Sequence, residues 1–244
     1  MIADLVRQVG TVSVEELCTK FTSSAETIRR DLNALADVGK VKKIHGGATT
    51  PLTVGEGPFQ QRLRNNVAAK RGIAKKAAAI VSPGQTIFVD TGTTTLTFAE
   101  EISDIEGITV VTNSLEIARY IGLHSRASLR LFVLGGEYNA DNRETFGQEC
   151  LHQLRSFRAH HAFITVGCVD AEAGATDFNF EEAQLARAMI ARSKRVVMLA
   201  DASKFDRIAG YEVGPLGKFD SLVSDTEPGP ALMQALQRNA VEVI

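Results

Sequence analysis

Ser24-Ala25-Glu26-Thr27-Ile28-Arg29-Arg30-Asp31-Leu32 opens with a helix cap and carries two adjacent arginines. Serine before a periodic run accepts a hydrogen bond from the first helical turn, and Thr27 offers a second hydroxyl there. Ile28, Leu32 and Leu35 recur at helical spacing, so they line one face of a helix from Ala25 to about Val38. Arg29 and Arg30 fall on other faces, and Gly39 stops the helix. Upstream, Thr22-Ser23-Ser24 is a short turn, and Val14, Leu17 and Phe21 mark the buried stripe of a preceding helix. Ser13, with Glu16 three residues on, reads as a capping box. Ile2, Leu5, Val6 and Val9 predict a first helix ended by Gly10, and Thr11-Val12-Ser13 is extended. Downstream, Val41 to Ala48 (VKKIHGGA) alternates and turns at two glycines, as a small hairpin wing does.

Two helices joined by a short turn, the second one basic, form the helix-turn-helix pattern. The second helix of such a pair enters the major groove with its N-terminal residues nearest the bases. Ser24, Ala25, Glu26, Thr27, Arg29 and Arg30 are therefore candidate readers and phosphate clamps, and Lys42, Lys43 and His45 candidate contacts from the wing. The same pattern fits a three-helix docking module with an ordinary charged surface. Charge favours nucleic acid. The chain of 244 residues has a formal net charge of −2, yet residues 1–78 hold 13 Lys/Arg against 7 Asp/Glu, and the remainder 14 against 22. The basic excess gathers at Arg29-Arg30, at Lys40-Val41-Lys42-Lys43, and from Arg62 to Lys76. Such asymmetry points to a part that meets a polyanion, although one charge run alone is equally a solvated face.

The rest of the composition is globular. It is 44% hydrophobic and 23% charged with 20 Gly and 6 Pro, which excludes disordered, collagen-like and disulfide-scaffold classes. No apolar run approaches the roughly 18 residues of a membrane helix, and no signal-peptide core opens the sequence. Cys18, Cys150 and Cys168 are far apart and odd in number, as expected in a reduced, cytoplasmic setting. Pro51, Gly55, Gly57 and Pro58 interrupt regular structure over residues 49–66. The expected organisation is a winged helix-turn-helix at 1–50, a linker at 51–66 and a second domain at 67–244. Val67–Val81 is an Ala/Lys-rich helix leading into that domain. From residue 84, short apolar strands (Thr86–Asp90, Thr109–Thr112, Leu129–Leu134, His161–Val166, Arg195–Ala200, Ser221–Ser224) alternate with helices (Leu96–Ile102, Leu115–Ile121, Glu144–Leu154, Glu181–Ser193). That rhythm means an α/β fold with a mostly parallel sheet covered on both faces. Ligands of such sheets bind beyond the carboxyl ends of the strands.

The strand-end loops are rich in small polar residues. Asp90-Thr91-Gly92-Thr93-Thr94-Thr95 follows a strand and opens a helix, an arrangement suited to an anion and most naturally to a phosphate. It is not a Walker A loop, since no G-K-[ST] follows. Thr112-Asn113-Ser114 and Gly135-Gly136-Glu137 are two further strand-end turns. Each alone is equally a helix cap or tight turn; converging on one sheet edge, they would form a pocket for a small polyhydroxylated phosphate ester. Glu181-Glu182 opens a helix, where acidic residues also simply complement the macrodipole. Lys204, after Asp201-Ala202-Ser203, pairs with phosphate or is a solvated loop residue, and Arg143 is equally open. His160-His161 lacks a third ligand at metal spacing, so no metal is expected, and no cofactor motif occurs. Cys168 reads as a small buried residue.

The block from Ser24 to Leu32, followed by Ile44-His45-Gly46-Gly47-Ala48, resembles the N-terminal signature of DeoR-type bacterial transcriptional regulators. Pro58-Phe59 with Arg62, Asp90 to Thr94, Thr112 to Ser114, Gly135 to Glu137, Glu181-Glu182-Ala183 and Asp201 to Phe205 continue the resemblance over essentially the whole chain. It implies a winged helix-turn-helix followed by a sugar-phosphate-binding domain similar to ribose-5-phosphate isomerase. It implies an oligomeric repressor of carbohydrate genes, a homodimer or homotetramer, that leaves double-stranded operator DNA on binding a phosphorylated sugar or polyol. It suggests Asp90, Gly92, Thr93, Thr94, Asn113, Ser114, Gly136 and Lys204 as effector contacts; Thr95, Thr112, Gly135, Arg143 and Glu181 complete the candidate set. The related isomerases carry an acidic residue near Gly167; its absence from Val166-Gly167-Cys168 argues against catalysis, because proton abstraction beside a carbonyl needs a positioned base. The enzymatic alternative, a sugar-phosphate isomerase or transferase with an N-terminal attachment domain, would draw on Asp90, Asp170, Glu181 and Lys204. A DNA-binding structural protein without a ligand is the third reading.

Overall fold

The computed structural model describes residues 2–37, 41–44, 46–49 and 55–244. The chain divides into two compact units, Met1–Val54 and Gly55–Ile244. In the first, α1 (Ile2–Val9), β1 (Thr11–Ser13), α2 (Val14–Phe21) and α3 (Ala25–Asp37) precede the hairpin of β2 (Lys42–Ile44) and β3 (Gly47–Thr49). The capping box at α2 is formed: Ser13 Oγ accepts the Glu16 N–H at 3.1 Å, and Glu16 Oε2 accepts the Ser13 N–H at 2.7 Å. Thr22, in the left-handed region, closes α2. Ser24 Oγ accepts the Thr27 N–H at 3.2 Å and so caps α3. Val6, Val14, Leu17, Ile28 and Leu32 are buried together with Val12, Val41 and Ala48 from the strands. Val9, expected in the stripe of α1, is instead 62% exposed, because it is the last residue of a two-turn helix.

The three strands order as β1-β3-β2, all antiparallel. Gly47 is required at this junction. A Cβ there would lie 2.4 Å from the Val12 carbonyl oxygen, so β3 packs against β1 only without a side chain.

In the second unit, α4 (Phe59–Arg64) and α5 (Val67–Ala78) precede β4 (Thr86–Val89), α6 (Thr93–Ile102), β5 (Thr109–Thr112), α7 (Leu115–His124) and β6 (Arg130–Val133). A hairpin of β7 (Glu137–Asn139) and β8 (Glu144–Phe146) follows, then α8 (Gln148–Leu154), β9 (Ala159–Thr165), a second hairpin of β10 (Cys168–Asp170) and β11 (Gly174–Asp177), α9 (Phe180–Ala191) and β12 (Ser193–Leu199). Then come β13 (Tyr211–Gly214), β14 (Ser221–Val223), α10 (Pro230–Arg238) and β15 (Glu242–Val243). Seven parallel strands form the main sheet in the order β15-β14-β12-β9-β4-β5-β6. From β4 the chain moves outward to β6, then returns to the other side of β4 with β9. The order therefore reverses between β4 and β9, and such a switch point opens a crevice at the carboxyl ends.

Strand alternation explains the two covered faces. Ile87 and Val89 join Ile73, Ala74, Phe98 and Ile102 of α5 and α6 on one face. Phe88 joins Ala162, Ile164, Met198 and, from α9, Leu185 and Met189 on the other. Full burial of each such Val, Leu, Ile, Phe or Met side chain contributes about 1.5–3 kcal/mol, so both helical layers are firmly attached.

Two local expectations fail. Glu144–Leu154 is not one helix: Glu144–Phe146 pairs with β7, and Gly147 separates it from α8. The segment 59–64, read within the linker, is a helix with Phe59 buried. Among the described residues, no helix is long and apolar enough to cross a membrane.

Candidate functional site

In the first unit, Glu26, Arg29 and Arg30 are exposed on α3, as are Ser24 before it and Lys42 and Lys43 on the wing. Ser24 and Thr27 share a hydrogen bond between hydroxyls at 3.0 Å. Ala25 packs against the core. Lys43 Nζ donates to Asn33 Oδ1 at 2.5 Å, which ties the wing to α3. His45 lies outside the described residues. The third basic cluster lies in the second unit, and three of its cations are engaged there. Lys70 Nζ donates to the carbonyls of Asn65 (2.8 Å) and Arg62, and Lys76 Nζ to that of Ser224 at 2.9 Å, all within the second unit. Residues 1–54 hold 7 Lys/Arg against 6 Asp/Glu, and five of those cations, Arg29, Arg30, Lys40, Lys42 and Lys43, fall between residues 29 and 43.

In the second unit, the loop after β4 lies at the switch point. The Asp90 N–H donates to the Phe163 carbonyl at 3.1 Å, and Thr165 Oγ1 donates to the Thr91 carbonyl at 2.7 Å, holding β4 and β9 together past their ends. A Cβ at Gly92 would meet Thr165 Oγ1 at 2.8 Å. No side chain caps α6, whose first turn carries N–H groups that intrahelical bonds cannot satisfy. Thr93 and Thr94 stand at that turn. Thr95 is turned inward, its hydroxyl donating to the Gly92 carbonyl at 3.1 Å with no exposure.

After β5, Thr112 Oγ1 accepts the Ser114 N–H at 3.0 Å, and Ser114 Oγ caps α7 by accepting the Ile117 N–H at 3.3 Å. Asn113 is aimed differently. Its Nδ2 donates to Glu144 Oε2 at 3.2 Å and to the Thr145 carbonyl at 3.0 Å, while its Oδ1 is buried without a partner. The Gly135 N–H is held by Gln153 Oε1 at 2.8 Å. A Cβ at Gly136 would lie 2.2 Å from the Phe146 carbonyl, so this glycine serves close packing. Arg143 pairs with Glu116 at 2.8 Å.

One polar chain joins residues from opposite ends of the sequence. Lys204, in a turn after β12, is paired with Glu56. Arg62 Nη1 donates to the same Glu56 carboxylate, and its Nη2 to Asn142 Oδ1, both at 2.6 Å. Asn142 Nδ2 then donates to Glu182 Oε1 at 2.5 Å. Glu182 and Glu144 are neighbours close enough to share a carboxyl proton, and Glu144 accepts from Asn113. Thus Lys204 and Asn113, expected in one pocket, are linked, with Asp90 beside Glu144.

Burial dominates the electrostatics here. It pushes Asp90 well above the usual carboxylate range, and the charges of Glu144 and Asp177 push the same way. Burial drives Glu144 up to about 7 against hydrogen bonds from Asn142, Glu182 and Asn113. Glu182 is raised by burial and then by Glu144, Asp177 and Asp90. Glu144 is therefore partly protonated near neutrality, so the cluster can donate as well as accept. Burial, then the Arg207 guanidinium, holds the Lys204 ammonium down at about 8.

Several of these groups were absent from the candidate set. Glu182, not Glu181, faces inward. Leu185, Ala186 and Met189, three, four and seven residues on, are buried on the same helix, and that spacing identifies the inward face. Arg62 follows buried Phe59 by three residues in the same way. Glu56, Asn142 and Glu144 sit in or beside turns, where no periodicity signals direction. Asp177 Oδ2 accepts the Gly167 N–H at 3.1 Å, tying β11 to the loop after β9. Cys168 is fully buried, as expected, and His160 Nδ1 accepts the Thr86 N–H at 3.0 Å.

Residues 1–53 match the DeoR-like helix-turn-helix domain, and residues 65–226 match the DeoR C terminal sensor domain. The glycerol-3-phosphate regulon repressor of Escherichia coli (strain K12) is 31% identical over 242 residues, covering 99% of this chain and 95% of that protein. The HTH-type transcriptional repressor GlcR of Bacillus subtilis (strain 168) is 30% identical over 245 residues, covering 100% and 93%. Among solved structures, ribose 5-phosphate isomerase A from Methanocaldococcus jannaschii covers 56% of this chain and 53% of its own, at 17% identity and a TM-score of 0.40. With both domains matched in order and the sequence relatives named as repressors, the chain belongs to the DeoR family of transcriptional regulators.

Proposed function

We propose that this regulator represses a carbohydrate-use operon and leaves its operator when a phosphorylated sugar or polyol occupies the carboxyl edge of the parallel sheet. One observation carries the reading. A single polar network places two cations, Lys204 and Arg62, in line with the buried carboxyls of Glu182 and Glu144 at the switch point. A phosphoryl group is recognised by cations and by helix N-terminal N–H groups. Sugar hydroxyls, both donors and acceptors, suit carboxyls that share protons. An ester with one anionic end and a hydroxylated tail fits both halves. Asp90, Gly92, Thr93, Thr94, Asn113 and Lys204 are its proposed contacts, joined by Arg62, Glu144 and Glu182; Glu181 stands at the edge. Thr95, Thr112, Ser114, Gly135, Gly136 and Arg143 shape the loops that hold those contacts.

On DNA, Arg29 and Arg30 clamp phosphates, Glu26 and Thr27 face base edges, and Lys42, Lys43 and His45 follow the backbone from the wing. The regulator acts in the cytoplasm as a homodimer or homotetramer, which pairs two half-sites about one helical turn apart. Release follows if the effector prefers an arrangement in which the recognition helices no longer match those half-sites.

The test is a thermal-shift panel of pentose, hexose and polyol phosphates on the full chain. Ligands that bind the folded state raise its apparent stability. At least one ester stabilises the protein and releases it from operator DNA, and its unphosphorylated parent does neither. A panel in which no phosphorylated compound outperforms its parent rejects the reading.

A further inference from the structure

We propose that Glu56 is a built-in occupant of the anion subsite formed by Arg62 and Lys204, and that the phosphoryl group of an incoming effector displaces it. The proposal rests on the effector reading above and adds the contact that regulates it. Glu56 is the second residue of the second unit, in a bend outside any helix or strand. Arg62 comes from α4, and Lys204 from the turn after β12. Both converge on this one carboxylate. A guanidinium fork and an ammonium aimed at one point make an oxyanion receptor.

The match to Glu56 is incomplete. Arg62 Nε is buried and has no hydrogen-bond partner, although Nη1 and Nη2 are both used. A carboxylate offers two oxygens and one charge. A phosphoryl dianion offers three oxygens and more charge, so it can satisfy Lys204, Nη1 and the orphaned Nε together. Exchange is structurally inexpensive on the protein side, because Glu56 leaves without breaking a strand ladder or a helix.

An internal competitor lowers apparent affinity by the fraction of time it vacates the subsite, so a contact formed about nine-tenths of the time weakens phosphate binding about tenfold. The experiment titrates inorganic phosphate into the full chain by calorimetry, comparing wild type with Glu56→Gln and Lys204→Gln. Glu56→Gln is expected to bind phosphate about tenfold more tightly, and Lys204→Gln to lose binding. Glu56→Ala repeats the measurement if the glutamine variant melts anomalously. If wild type binds phosphate, Lys204→Gln does not, and both Glu56 variants match wild type, then Glu56 is only a structural ion pair and the proposal fails while the effector reading stands. If neither wild type nor the Glu56 variants bind phosphate, both fail.

Discussion

Glu144 is 1% exposed, and ionising it in that setting is costly. Its carboxyl titrates near 4.5 in the unfolded chain and about 7 in the fold. The folded state therefore holds the proton longer, and this group's stabilising contribution is complete below 4.5 and lost as pH rises through 7. At about 1.4 kcal/mol per pH unit, the whole effect is about 3 kcal/mol, shared with Glu182 and Asp90 because the cluster titrates together. The melting temperature of wild type should fall between pH 5 and pH 8 relative to Glu144→Gln, whose amide stays neutral throughout. Parallel pH profiles for the two proteins would remove the cluster from the account. Residue identity was legible where local rules act: Ser13, Ser24 and Asp90 stand where capping and strand-end chemistry place them. It was not legible for Glu56 or Asn142, whose partners lie far away in sequence.

Elements were legible wherever one period persisted. Six of the seven strands of the parallel sheet stood out as short apolar runs; β15 (Glu242–Val243), only two residues long at the sheet edge, did not. The β7–β8 hairpin did not, because Glu144–Phe146 is three residues long and abuts a helix, so the helical period of Gln148–Leu154 absorbed it. The wing shows how an element depends on one position. Adding a methyl at Gly47 drives a Cβ into the Val12 carbonyl, a backbone atom that cannot move alone. Gly47→Ala should therefore cost about 1–3 kcal/mol of the first unit's stability by overpacking. Circular dichroism melts should show a lowered transition for that unit, and operator affinity should fall because Lys42 and Lys43 lose their scaffold. An unchanged melt would mean that β3 does not approach β1 this closely.

At the scale of the molecule, the second unit must inform the first, and Glu56 lies two residues past the division between them. If Glu56 anchors that connection while the effector is absent, Glu56→Gln should mimic effector and weaken operator binding with no ligand present; full wild-type affinity in a gel-shift titration would uncouple the contact from repression. The charge asymmetry needs a narrower interpretation than the sequence alone suggested. Residues 55–78 contribute 6 Lys/Arg against a single acid, yet Arg62, Lys70 and Lys76 are committed to partners inside the second unit. The proposed DNA contacts accordingly rest on Arg29, Arg30 and the wing lysines, while Arg64, Arg71 and Lys75 stand exposed on the second unit. Each cation that neutralises a phosphate releases a counterion and steepens the dependence of log affinity on log salt by about 0.9. Arg29→Ala and Arg30→Ala should each flatten that slope by about one, whereas Lys76→Ala should leave it unchanged because its ammonium already serves the Ser224 carbonyl. Operator titrations at several salt concentrations separate the cases: an equal loss of slope in all three variants would return the Arg62–Lys76 cluster to the DNA surface.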